Sequence, residues 1–139
     1  MARLKRRSNC PISFALDIFG DKWTLLIIRD LIFKDKRYFG EFSKSEEKIA
    51  SNILTDRLCT LELSGIITKK SDPNNGSKFI YTLSKKGIDL LPVLIEIILW
   101  SSKYEDQSVF DAHWITRAKK DRSQLVKEIF AHLRKDMAI

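Results

Sequence analysis

The chain has 139 residues, an ordinary apolar share of 44%, and 25 Lys and Arg against 18 Asp and Glu, a formal charge of +7. Such a chain can bury one core, which argues against wholesale disorder, and its basic surplus suits a polyanionic partner as well as it suits a soluble basic protein without one. The longest apolar stretches, around Leu25–Ile28 and Ile97–Trp100, fall far short of the roughly 20 residues of a membrane span, so no membrane partner is expected.

Residues 1–9 form a basic arm (Arg3, Lys5, Arg6, Arg7) with no apolar signal core behind it, which reads as a cytoplasmic protein. In that setting the two cysteines, Cys10 and Cys59, argue against a structural disulfide. With His113 and His132 far off in sequence they do not form a metal site either. Pro11 suits the first turn of a helix and Gly20 its end, with Ile12, Ala15, Leu16 and Phe19 at helical spacing between them. Asp21 is placed to cap a second helix, Lys22 to about Phe33, whose wide apolar face (Trp23, Leu25, Leu26, Ile27, Ile28, Leu31) makes it central to the core. Tyr38–Phe42 reads as a short third helix, and Ser43–Lys48 as a polar connection.

A fourth helix follows, stapled by Ile49, capped by Ser51 or Asn52, and stopped by Gly65 in the left-handed region. Ile53, Leu54, Leu58, Leu61 and Leu63 are its apolar residues, and Cys59 is expected to be packed or inert. Next come a short apolar and basic strand (Ile66–Lys70), a turn cluster (Asp72–Gly76) and a second strand (Phe79–Leu83). Ser84 opens a long apolar helix that Pro92 should kink or split. Residues 105–112 form a polar connection, and a last amphipathic helix runs from about Asp121 to Arg134, with Leu125, Val126, Ile129, Phe130 and Leu133 on one side. The fold class is therefore mainly α with a small β-hairpin. It is a winged helix-turn-helix with N- and C-terminal helical extensions, within a single domain spanning 1–139 (core and dimer helix 10–100, C-terminal extension 101–139). These read as dimerisation extensions because the stripe from Leu125 to Leu133 exceeds what a small winged core can cover, with part of the first helix and the Ile88–Trp100 segment joining it. A helix running straight into a basic hairpin suits double-stranded DNA, the helix entering a major groove and the hairpin following phosphates.

The chain resembles the HxlR family of bacterial and archaeal transcriptional regulators. The matching residues are Cys10-Pro11, Ala15-Leu16-Asp17, Gly20-Asp21-Lys22-Trp23-Thr24-Leu25-Leu26-Ile27 and Arg37-Tyr38-Phe39-Gly40-Glu41-Phe42. Further on they are Leu54-Thr55-Asp56-Arg57-Leu58, Leu61-Glu62, Gly65-Ile66-Ile67, Tyr81-Thr82-Leu83-Ser84-Lys85-Lys86-Gly87 and Leu90-Leu91-Pro92-Val93-Leu94. Two departures stand out: Asp21 where the family often has a second Gly, and Ile49-Ala50 where it often has Ile-Ser. The resemblance implies a homodimer on a two-fold related operator, no enzymatic activity, and a recognition helix around Asn52–Leu63. It also brings in relatives that sense electrophiles or oxidants through a cysteine at the position of Cys10, so this residue is a possible redox sensor beside an otherwise unknown small-molecule inducer.

On that helix, Arg57 is placed to read guanine or grip a phosphate, its plainer role being an ion pair with Asp56 or Glu62. Asn52, Thr55 and Thr60 are short polar groups suited to base edges or phosphates, and Asp56 points away from DNA or orients Arg57. Lys69, Lys70 and Lys78 flank the hairpin turn as candidate phosphate contacts, and Tyr38 and Lys36 are candidate backbone contacts. Trp23 reads as core, and Trp100 and Trp114 as packing at helix joints or a dimer interface. No catalytic constellation, cofactor loop or metal signature is present in the sequence. The competing reading is a winged-helix protein-interaction module without specific DNA binding, in which case random duplex DNA is not bound even at low salt.

Overall fold

The structure is a computed structural model that describes residues 6–105 and 108–137. The chain divides into two compact units, one ending at Gly87 and the other starting at Ile88. Arg3 and Lys5 of the basic arm lie outside the described residues. Arg6 and Arg7 turn back on the first helix, Arg7 pairing with Asp17 at 2.6 Å and Arg6 lying over the Phe14 ring at 5.2 Å.

The first unit begins with α1 (Pro11–Phe19) and α2 (Thr24–Phe33). Helix α2 starts two residues later than its sequence suggests, yet Asp21 does serve its open end. The Asp21 carboxylate accepts from the Trp23 and Thr24 amides (2.9 and 3.0 Å) and from the Thr24 hydroxyl (2.6 Å). These bonds satisfy N–H groups that the first turn leaves without helical partners. Buried Asp30 is neutralised by Arg29 (2.8 Å) and Lys36 (3.2 Å), and Arg29 also forks onto Glu47 (2.7 and 3.0 Å). That fork ties α2 to the turn between α3 (Phe39–Phe42) and α4 (Ser51–Leu63).

Helix α4 is capped by Ala50, with no side-chain bond to its first turn, and Ser51 is its first residue. The expected hydroxyl or amide cap at 51 or 52 is therefore absent. The register is set instead by burial of Ile49, Leu54, Leu58 and Leu61, with Ile53 half-buried. Leu63 falls off this face and is 44% exposed. The helix ends at Gly65, whose φ of +74° is strained for any side chain.

Strand β1 (Ile67–Asp72) pairs antiparallel with β2 (Asn75–Leu83), from Ile67 opposite Leu83 to Asp72 opposite Asn75. A bulge at Ser71/Asp72 lets the polar run Asn75–Ser77 join β2, which therefore starts four residues before Phe79. The inner ends carry Ile67, Tyr81 and Leu83, all buried, with Tyr81 edge-on to Phe42 at 6.2 Å. Ser84 Oγ donates to the carbonyls of Gly65 and Ile66 and accepts from the Gly87 amide, so it closes both the hairpin and the start of α5 (Lys85–Ile88).

Pro92 splits the long apolar helix as expected, by standing in the first turn of α6 (Leu91–Ser102), where its missing N–H costs nothing. In the second unit, α6 is followed by α7 (Ala112–Lys120) and α8 (Arg122–Met137). Helix α7 is new relative to the sequence expectation. Asp111 caps it by accepting from the Trp114 amide at 2.8 Å. Ion pairs link α8 to both neighbours, Arg122 to Glu96 and Arg117 to Glu128. Leu125 and Leu133 of α8 are buried within the chain, and Val126, Ile129 and Phe130 are half-buried. The apolar surface left open in this unit lies mainly on α6, at Val93, Ile97 and Trp100, and continues to Tyr104. Among the described residues no helix is long and apolar enough to cross a membrane.

Candidate nucleic-acid interface

Helix α4 presents a polar face built by its period. Asn52, Thr55, Asp56 and Cys59 are exposed, and the steps from Asn52 to Thr55 and Asp56, and from these to Cys59, are three or four residues, so they share one side of the helix. Thr60 is half-buried at the margin. The Thr55 hydroxyl donates to the Ser51 carbonyl (2.9 Å), which leaves its oxygen able to accept from a base or a further donor. Cys59 is on this open face rather than packed. Its place follows from the spacing to Thr55 and Asp56, a signal that its apolar character hides.

Arg57 sits on the flank of that face and is not free. Its Nε lies 3.4 Å from Asp21 Oδ2 and its Nη1 3.4 Å from Asp56 Oδ2. The expected intrahelical partner Asp56 is present, and Asp21, from the start of α2, is a second partner that the sequence did not single out. Burial pushes the Asp21 carboxyl up, but the Thr24 hydroxyl, the Trp23 and Thr24 amides and the Arg57 charge together hold it below its ordinary value.

The hairpin supplies cations beside α4. Lys69, Lys70 and Lys78 are all exposed. Lys69 lies over the Phe79 ring at 4.2 Å and Lys78 over the Tyr38 ring at 5.7 Å, both keeping an ammonium in water above an aromatic face. Lys70, opposite Ile80, alternates to the other side of the ribbon from Lys69. The Tyr38 hydroxyl donates to Asp72 Oδ2 at 3.0 Å, and Asp72 Oδ1 accepts from the Asn74 amide at 2.9 Å. That bond to Asp72 raises the Tyr38 phenol above its ordinary value, and it fixes the turn of the hairpin against the start of α3. Between them lies a groove of about 490 Å3, lined by Tyr38, Glu41, Lys44, Lys78 and Phe79 among others. Lys36 is committed to Asp30 and is not part of this surface.

Cys10 stands apart from these groups. It is exposed, and it occupies the N-cap position of α1 with Pro11 at the first helical position. Among the described residues no cluster of His, Cys, Asp and Glu is arranged to hold a metal ion.

The sequence profile described as HxlR-like helix-turn-helix matches residues 18–109. The HTH-type transcriptional regulator YdeP of Bacillus subtilis is 37% identical over 99 residues, which are 71% of this chain and 77% of YdeP. The crystal structure of PA1607 superposes with a TM-score of 0.66 at 38% identity, covering 74% of this chain and 72% of that one. The reduced form of the transcriptional regulator YodB from B. subtilis superposes with a TM-score of 0.58 at 30% identity, covering 71% of this chain and 97% of YodB. YodB has also been solved with quinone bound, and that form matches with a TM-score of 0.57 at 30% identity, over 68% of this chain and 99% of YodB. A profile that spans the core of the fold, relatives of this identity and the same helix-turn-helix with its hairpin together establish that the chain belongs to the HxlR-like helix-turn-helix family of transcriptional regulators.

Proposed function

We propose that the chain acts as a homodimer that reads a two-fold related operator, with α4 in the major groove and the β1–β2 hairpin along the flanking phosphates. The observation that carries this reading is the exposed polar face of α4, next in the chain to a hairpin bearing Lys69, Lys70 and Lys78. Asn52, Thr55, Arg57 and Thr60 are the groups we assign to bases and nearby phosphates, and Tyr38 supports the hairpin that carries the lysines. The open apolar side of α6 supports pairing with a second copy. The direct test measures affinity for duplex DNA against salt concentration. Binding should weaken steeply with salt, by about 0.9 in the log–log slope for each phosphate neutralised. A salt-independent affinity, or no binding of any duplex at low salt, would favour the protein-interaction reading.

A second reading concerns the signal. Cys10 is exposed at the start of α1, and the relative YodB is known in reduced and quinone-bound forms. These support a response to oxidants or electrophiles through Cys10. Titrating wild type and Cys10→Ser with diamide before an operator-binding assay decides it. Wild-type affinity should change and the variant's should not, whereas equal behaviour of the two removes Cys10 from the response.

A further inference from the structure

The Asp21 carboxylate does two jobs with different geometric needs. It satisfies the first turn of α2 through three hydrogen bonds, and it faces the Nε edge of Arg57 on the recognition helix. Both partners of that ion pair are largely shielded, with 22% of the Asp21 side chain and 33% of the Arg57 side chain exposed. The Arg57 Nε itself is buried and has no hydrogen bond, so the Asp21 charge 3.4 Å away is what compensates its lost water. Asp56, the other neighbour, is well exposed and holds Nη1 from the solvent side. A long, rotamer-rich side chain on the flank of a reading helix is therefore held between two carboxylates. One of them, Asp21, comes from the turn before α2 and is fixed by its bonds to the start of that helix.

From this arrangement we propose that Asp21 is a positioning residue for sequence reading, which pre-orients the Arg57 guanidinium so that one arginine conformation meets the operator. The proposal rests on the reading of Arg57 as a DNA contact. It goes further by assigning part of the discrimination to a residue in the turn before α2. An ordered arginine loses less freedom on reaching a base than a mobile one, and that gain applies only where the base matches. On random duplex the same carboxylate is a nearby negative charge and contributes nothing favourable.

The two jobs can be separated. The single oxygen of asparagine can still accept from the Trp23 and Thr24 amides, its NH2 donates to the Thr24 hydroxyl instead of accepting from it, and it carries no charge for Arg57. Wild type, Asp21→Asn, Arg57→Gln and the double variant are titrated with a selected operator and with random duplex, and their thermal unfolding is compared. Asp21→Asn should lower the operator-to-random affinity ratio by about tenfold, without weakening random duplex binding and with unfolding close to wild type. In the Arg57→Gln background the same substitution should leave the ratio unchanged. An unaltered ratio in Asp21→Asn, or an equal drop with Arg57 absent, overturns the positioning role while leaving Arg57 as a contact. An unaltered ratio in Arg57→Gln overturns the contact itself and the positioning role with it.

Discussion

Trp100 gives the sharpest test of how two copies pair. Its indole is 66% exposed on α6, in line with Val93 (37%), Ile97 (42%) and Tyr104 (75%) at intervals of four, three and four residues. Such a stripe is the seam by which one helix packs on another. A Trp side chain of roughly 250 Å2 with two-thirds open leaves about 165 Å2 to cover. At about 25 cal/mol per Å2 full coverage is worth about 4 kcal/mol, and half coverage about 2 kcal/mol. A two-fold interface contains the residue twice, so Trp100→Ala should weaken the dimer by about 4 kcal/mol, close to a thousandfold in Kd. Sedimentation equilibrium over a wide concentration range reads this directly, with circular dichroism showing that the helices persist. The expected result is a monomer at concentrations where wild type is fully dimeric. A variant that dimerises as tightly as wild type would refute the assignment of the seam to α6.

Three further outcomes follow from the first unit. The Arg29 fork holds the Glu47 carboxyl down at about 2 from its ordinary 4.5, so its contribution is complete above about pH 4.5 and disappears as pH falls toward 2. Because Glu47 is 37% exposed, we expect Glu47→Gln to cost only about 1 kcal/mol at pH 7, a gap that closes by about pH 2 in denaturant titrations; a gap constant with pH contradicts the mechanism. A Cβ at Gly87 would run into the Ile66 carbonyl oxygen and the Leu83 side chain, so Gly87→Ala should destabilise by about 1–3 kcal/mol. Gly76→Ala meets nothing and should stay within about 0.5 kcal/mol, and equal melting temperatures for these two variants would count against the close approach at Gly87. Lys70→Ala should weaken operator and random duplex alike and reduce the salt slope by about 1, whereas a loss confined to the operator would make Lys70 a base reader.

Much of the fold is legible in the sequence because its signals are local. The Pro11 and Pro92 positions, the Gly65 stop and the apolar period of α4 each specify a helix end or a buried face without reference to distant residues. What escaped depends on contacts across the chain or on weak local patterns. Helix α7 has few apolar residues, Ala112, Trp114, Ile115 and Ala118, so its period is faint, and the Asp111 cap is its clearest local sign. The α4 cap differs from the Ser51 or Asn52 that side-chain chemistry suggests, because burial of Ile49 and Leu54 sets the helix start at Ser51 with Ala50 before it. The sequence reads the α8 stripe, joined by part of the first helix and the Ile88–Trp100 segment, as the dimer face. Within the chain Leu125 and Leu133 are buried, and the larger exposed apolar residues of this segment lie on α6. At the candidate site, composition and helix period point to Asn52, Thr55 and the hairpin lysines, which are exposed. The tie between Asp21 and Arg57, 36 positions apart, follows only from the packing of α4 beside the start of α2.

The most direct test of the central claim is selection of bound sites from a random duplex library with the full-length protein. The account predicts enrichment of a two-fold related sequence whose half-sites are centred about one helical turn apart, roughly 10 base pairs. Base preference within each half-site should weaken when Arg57 is replaced. Recovery of unenriched library, or of a single half-site with no symmetric partner, would contradict a dimer that reads DNA through α4.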